Sequence, residues 1–89
     1  MITFEDACKT AYEYYADIGF YGLKSANDLG DMYSFMGYSK TVVYGGVVPI
    51  TISKQTGEIG EFPFYSKEFL MKLKKSIQMD IPKKYKPTT

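Results

Sequence analysis

The first 19 residues place apolar side chains at the spacing of an amphipathic helix. Thr3 is a natural N-cap residue, and Asp6, three residues later, suits the acidic position of a capping box. Gly19 is the expected end of the helix. The apolar stripe repeats every three to four positions and comprises Phe4, Ala7, Cys8, Ala11, Tyr14 or Tyr15, and Ile18. We therefore expect one face of this helix to be buried in a core.

From residue 20 onward the apolar period changes to two, which is typical of β-strands. Strands are predicted over Phe20–Ala26 and Met32–Tyr38, with the polar turn Asn27–Asp31 between them. The side chains on both faces of the second strand are mostly apolar. Both faces of this hairpin are therefore expected to be covered, one of them by a helix.

A second hairpin is predicted in the middle of the chain. Val47–Ser53 alternates β-branched and semi-polar residues, Lys54–Gly57 has turn composition, and Glu58–Phe62 is predicted to return as a fourth strand. Pro49 cannot donate a ladder hydrogen bond, which places it at an edge, at a bulge or at the start of pairing.

The remaining residues predict a second helix, which Ser66 caps and which runs to about Ile77. Its expected apolar stripe is Phe69, Leu70, Leu73 and Ile77. Pro82 and Pro87 indicate an irregular, partly disordered C-terminal tail over residues 79–89. The chain is thus predicted to be one α+β domain over residues 1–78. This domain has an N-terminal helix, a four-stranded antiparallel sheet of two hairpins, and a C-terminal helix.

The composition argues against most enzyme classes. The 89 residues include no His and no Trp, and all eleven basic residues are Lys. Without His there is no imidazole base or imidazole metal ligand, and without Arg there is no bidentate phosphate clamp. Cys8 is the one cysteine, so neither an internal disulfide nor a Cys-based zinc site can form. We predict no catalytic residue, no metal site and no cofactor.

Three features indicate a cytoplasmic protein without a membrane partner. No apolar run reaches the length of a membrane span, and the N-terminal residues lack the layout of a signal peptide. The lone cysteine suits a reducing compartment.

Charge and tyrosine content favour protein recognition. Residues 1–45 carry three Lys against six acidic residues, a charge of −3, and residues 46–89 carry eight Lys against four, a charge of +4. The basic end either contacts an anionic partner or simply solvates a helix. The nine tyrosines suit a protein interface or serve as core filler. Nucleic acid is disfavoured as a partner, because the aromatic residues lie mainly in the acidic half.

The segment from Gly46 to Ile59 combines a proline, an apolar strand, a lysine and the sequence TGE at positions 56–58. Here the chain resembles the YrhB-like immunity proteins, family thirty-five among the bacterial toxin immunity domains. The N-terminal helix with Phe4 and Ala7 and the aromatic strand after it are also similar, so the resemblance covers about residues 1–65. Ser53 departs from the family, which often has Asp there.

The resemblance implies a small cytoplasmic protein that binds and neutralises a cognate toxin without catalysis. We expect the chain itself to be a monomer or a weak homodimer. A toxin with a basic groove, such as a nuclease, would contact the acidic turn and nearby tyrosines, Asp28, Asp31, Tyr33, Tyr38 and Tyr44. An acidic toxin would instead contact a basic face, Lys72, Lys74 and Lys75. Two alternatives stay open: a small chaperone or adaptor that binds exposed apolar segments, and a weak nucleic-acid-binding module.

Overall fold

The structure is a computed structural model that describes residues 1–38, 49–63 and 65–87. Its elements are, in order, α1 (Phe4–Asp17), β1 (Leu23–Asp28), β2 (Met32–Gly37), β3 (Ile50–Ser53), β4 (Ile59–Glu61), α2 (Lys67–Lys74), β5 (Ile77–Gln78) and a 3-10 turn (Lys83–Tyr85). The predicted α+β class is confirmed. The described residues form five strands where the sequence predicted four.

All strand pairs are antiparallel, and the strand order is β4-β3-β2-β1-β5. Both predicted hairpins are present. β1 begins at Leu23, three residues later than predicted, and continues to Asp28. Val47 and Val48, which open the third predicted strand, lie outside the described residues. β2 occupies the centre, where Phe35 pairs with Ala26 on one side and with Ile50 on the other.

The capping box predicted for α1 is confirmed. The Asp6 backbone N–H donates to the Thr3 hydroxyl at 3.1 Å, and the Thr3 N–H donates to the Asp6 carboxylate at 3.2 Å. The helix ends at Asp17, and Gly19 then adopts a φ of 90°, which a residue with a Cβ rarely adopts. Both ends of α1 are therefore fixed by local sequence.

The main core lies between α1 and one face of the sheet. Its buried members are Ala7, Cys8, Ala11, Tyr15, Leu23, Ala26, Tyr33, Phe35, Ile50, Ile52 and Ile81. The Tyr15 hydroxyl donates to the Phe35 carbonyl at 3.2 Å, so the phenol crosses the core without leaving its polar atom unsatisfied. Tyr15, rather than the half-buried Tyr14, is the fully buried member of the helix stripe.

The second face of the sheet is also covered, but its central side chains are small and polar. Ser34 and Thr51 are only 4% and 6% exposed. α2 lies on this side, because the Asn27 amide donates to the Ser76 hydroxyl at 3.1 Å and the Phe62 and Phe69 rings meet edge-on at 4.6 Å. The expectation that both faces of the first hairpin are covered is confirmed.

The predicted end of the second helix is wrong. α2 stops at Lys74, and Ile77 pairs with Asp28 as part of β5. Ile77 is 69% exposed, and Leu70, also assigned to the apolar stripe, is 43% exposed. Phe69 is the buried residue of α2.

The C-terminal segment also needs correction, because it packs on the domain instead of forming a disordered tail. Ile81 is 8% exposed within the main core, and the Tyr85 ring lies 5.6 Å from the Tyr12 ring of α1. An ion pair joins Lys84 to Glu5. The folded domain therefore continues past residue 78 to at least Tyr85.

Candidate functional site

The turn between β1 and β2 is closed by the first of the predicted site residues. The Asp28 carboxylate accepts a hydrogen bond from the Gly30 backbone N–H at 2.8 Å, the typical Asx turn. Gly30 has a φ of 102°, which explains the glycine at this position. Asp31 follows and exposes 60% of its side chain.

Asp28 forms an ion pair with Lys54, which the sequence placed in the second hairpin turn and not among the candidate site residues. The Lys54 ammonium lies 2.7 Å from the Asp28 carboxylate and 4.7 Å from the centre of the Tyr33 ring. The hydrogen bond from Lys54 lowers the pKa of the Asp28 carboxyl. The Lys54 backbone N–H also donates to the Asp31 carbonyl at 3.2 Å, which holds the two hairpins together.

Asp31 is paired with a residue of the alternative site. The Lys72 ammonium of α2 lies 3.3 Å from its carboxylate. The structure thus brings together the acidic turn and part of the basic face, which the sequence analysis treated as separate options. Between them lies an open cleft of about 500 Å³, lined by Asp28, Leu29, Gly30, Lys54, Lys72, Lys75, Ser76 and Ile77.

The predicted tyrosines do not form one surface with these charges. Tyr33 is only 8% exposed, and its ring lies 5.1 Å from that of Phe4 in the core, so little of its side chain is accessible to a partner. Tyr38 is half-buried just after β2, where its backbone pairs with Tyr21 and Gly22. Tyr44 lies outside the described residues.

α2 carries a mixed basic and apolar surface that the sequence analysis identified only in part. Lys67, Leu70, Met71 and Lys74 have the i, i+3, i+4, i+7 spacing of one helix face, and Lys75 follows at the C-cap. We call these five residues the α2 outer face. Leu70 is 43% and Met71 59% exposed. The 67/70/71/74 spacing was the available signal, but Leu70 also fitted a buried stripe.

The two nucleophile types with shifted pKa values are both in the core. Burial raises the pKa of the Cys8 thiol to about 12 and that of the Tyr15 phenol to about 12. Both groups are fully buried and stay protonated at neutral pH, so neither is an activated nucleophile. Over residues 1–38, 49–63 and 65–87, no three Cys, Asp or Glu side chains gather where they could hold a metal ion.

A further cleft, of about 600 Å³, lies beside the edge strand β4. It is lined by Tyr14, Pro49, Ile50, Ile59, Gly60, Glu61, Phe62 and Tyr65. Glu61 is the single Asp, Glu or Lys in this wall.

Comparison with protein-family models, with curated proteins and with solved structures found no match to this chain. Among the helices of the described segments, none has the length and apolar content needed to cross a lipid bilayer.

Proposed function

We propose that this protein is a non-enzymatic immunity protein, which binds a cognate bacterial toxin and neutralises it by stoichiometric contact. The observation that carries the proposal is the sequence from Gly46 to Ile59, which resembles the hairpin of the YrhB-like immunity proteins. Its described part begins at Pro49 and contains β3, the turn and the first residue of β4. The core location of Cys8 and Tyr15 supports a binding role over a catalytic one.

Lys54 and Gly57 of this hairpin make contacts within the chain that stabilise the fold. Lys54 pairs with Asp28 and lies over Tyr33, while the Gly57 backbone N–H donates to the Ser53 carbonyl at 2.8 Å with a φ of 77° at the glycine. A shared hairpin of this kind defines a scaffold, and different partners are then recognised by other surfaces of it.

Co-expression tests the proposal directly. The gene is expressed with and without the toxin gene beside it, and growth is followed together with complex formation by size-exclusion chromatography and light scattering. We expect restored growth and a defined stoichiometric complex. A toxin that inhibits growth equally in the presence of folded protein would contradict the proposal, and so would non-selective binding to unrelated unfolded proteins, which is the behaviour of a chaperone.

A further inference from the structure

The lysines of the described residues fall into two groups according to their partners. Lys54, Lys72 and Lys84 each form an ion pair, with Asp28, Asp31 and Glu5 respectively. The other seven described lysines form no ion pair with a described carboxylate: Lys9, Lys24, Lys67, Lys74, Lys75, Lys83 and Lys86. Three of these, Lys67, Lys74 and Lys75, lie exposed together on the α2 outer face. Three lysines of the α2 outer face therefore lack an ion pair, whereas each carboxylate of the acidic turn has one.

The same face presents apolar groups between its charges. Leu70 and Met71 lie between Lys67, one turn before, and Lys74, one turn after, and about half of each apolar side chain is in water. Glu68 is the one acidic residue of α2, and it lies in the first turn, where the helix dipole favours it. Two apolar side chains within a basic rim match the general anatomy of a protein interface.

We propose that the α2 outer face contacts the toxin, and that the toxin surface seated there has an apolar centre surrounded by acidic side chains. This inference rests on the proposed function and adds to it the location and chemistry of the contact. Charge complementarity selects the occupant, because free lysines accelerate encounter with an acidic surface and disfavour a basic one. The Asp28 and Asp31 carboxylates do not compete for this role, since lysines of this chain already pair with them.

Nucleic acid and lipid fit this face less well. Single-stranded nucleic acid is bound through aromatic platforms, and the centre of the α2 outer face is aliphatic. Membrane-surface helices insert a long apolar face, whereas α2 has eight residues, a length of about 12 Å, and two exposed apolar side chains. A protein surface can meet both the apolar pair and the separate charges.

Two double variants and a matched control test the inference, with a catalytically inactive form of the adjacent toxin as the probe in calorimetry. Lys67→Glu with Lys74→Glu should weaken binding about a hundredfold and remove its loss with added salt. Leu70→Ala with Met71→Ala should weaken it about tenfold. The control, Lys9→Glu with Lys83→Glu, has the same change in net charge on other exposed sites and should bind like the wild type.

The outcomes separate this inference from the proposed function. If the wild type binds the toxin and both α2 variants bind equally well, the contact lies elsewhere and the inference is overturned, while the proposed function stands. If the wild type does not bind, the proposed function fails and the inference fails with it. Tighter binding of the wild type to phosphatidylserine vesicles or to single-stranded DNA than to the toxin would overturn it in favour of those ligands. Thermal unfolding confirms that each variant is folded.

Discussion

Lys54, a residue of a hairpin turn, contacts the N-terminal residues, the β1–β2 turn and β2. Its ammonium pairs with Asp28 and lies over the Tyr33 ring, and its carbonyl accepts a hydrogen bond from the Ile2 N–H at 2.8 Å. Its side chain is 18% exposed, and that of Asp28 is 24% exposed. Screening by water is therefore weaker here than for an ordinary surface pair.

We expect this pair to make stability depend on pH in the acid range. The Lys54 hydrogen bond lowers the folded-state pKa of Asp28, so its contribution is complete above the unfolded-state value and is lost as the pH falls through the folded-state value. Asp28→Asn should lower the free energy of unfolding at pH 7 by about 1 kcal/mol. The difference from the wild type should shrink below about pH 4, measured by urea unfolding.

Asp31→Asn is the matched control for this experiment. Its carboxylate is 60% exposed, and its pair with Lys72 is longer, at 3.3 Å. Exposed pairs contribute little, so this variant should unfold like the wild type at every pH. A loss of stability equal to that of Asp28→Asn would show that the Lys54 pair has no special role.

Gly37 shows how closely the core packs at single-residue scale. A Cβ built there would lie 2.5 Å from the Tyr15 ring and 2.6 Å from the Phe20 ring. Gly37→Ala must therefore displace an aromatic side chain, and we expect a loss of about 3 kcal/mol with a fall in Tm of at least 10 °C or so. Gly19→Ala is the control: its Cβ meets nothing within 4 Å, so only backbone strain at its positive φ should appear. Equal losses would rule out crowding as the cause.

At the scale of elements, the sequence correctly predicts those helices and turns whose ends are determined by capping and turn residues. The Thr3 capping box and Gly19 define α1, and turn residues define both hairpins. The end of α2 was mispredicted because Phe69, Leu73 and Ile77 repeat at helical spacing. The pairing of Ile77 with Asp28, 49 positions earlier, decides its structure, and no local pattern encodes such a distant partner.

The start of α2 depends on one hydroxyl group. The Ser66 side chain accepts from the Phe69 backbone N–H at 3.3 Å. Ser66→Ala should therefore lower the free energy of unfolding by about 1 kcal/mol, whereas Ser66→Asp, which can also cap, should retain it. Chemical denaturation followed by circular dichroism measures both. If Ser66→Asp loses as much as Ser66→Ala, the effect does not come from the cap.

At the scale of the whole molecule, the C-terminal segment packs against α1 and the loop that follows it. Ile81 enters the core, the Tyr85 ring contacts Tyr12, and the Lys86 carbonyl comes so near Gly22 that a Cβ there would lie 2.8 Å from it. Pro82 and Pro87 predicted an irregular backbone for this segment. The backbone is largely irregular, yet its side chains pack on the domain. The sequence identified the charged site residues, whereas their pairing, and hence which charges are free, follows from this tertiary arrangement.

Ile81→Ala tests whether the C-terminal segment supports the fold. Removing a buried isoleucine side chain leaves a cavity, so we expect a loss of about 2 to 4 kcal/mol in thermal or urea unfolding. Lys84→Ala, three residues later, removes an exposed ion pair with Glu5 and an exposed contact with the Tyr85 ring, and it should have little effect. Wild-type stability for Ile81→Ala would mean that the segment is only loosely attached.

The strand order also bears on which elements should fold last and open first. β2, β3 and β4 are each adjacent to the preceding strand in both sequence and space, whereas β5 joins the far edge, beside β1, after α2. We expect that long connection to close late, and the strand that it adds has only two residues. Amide hydrogens of β2 and β3 should therefore exchange slowest, and those of α2 and β5 first. Local opening of the domain should therefore begin on the side that carries the α2 outer face.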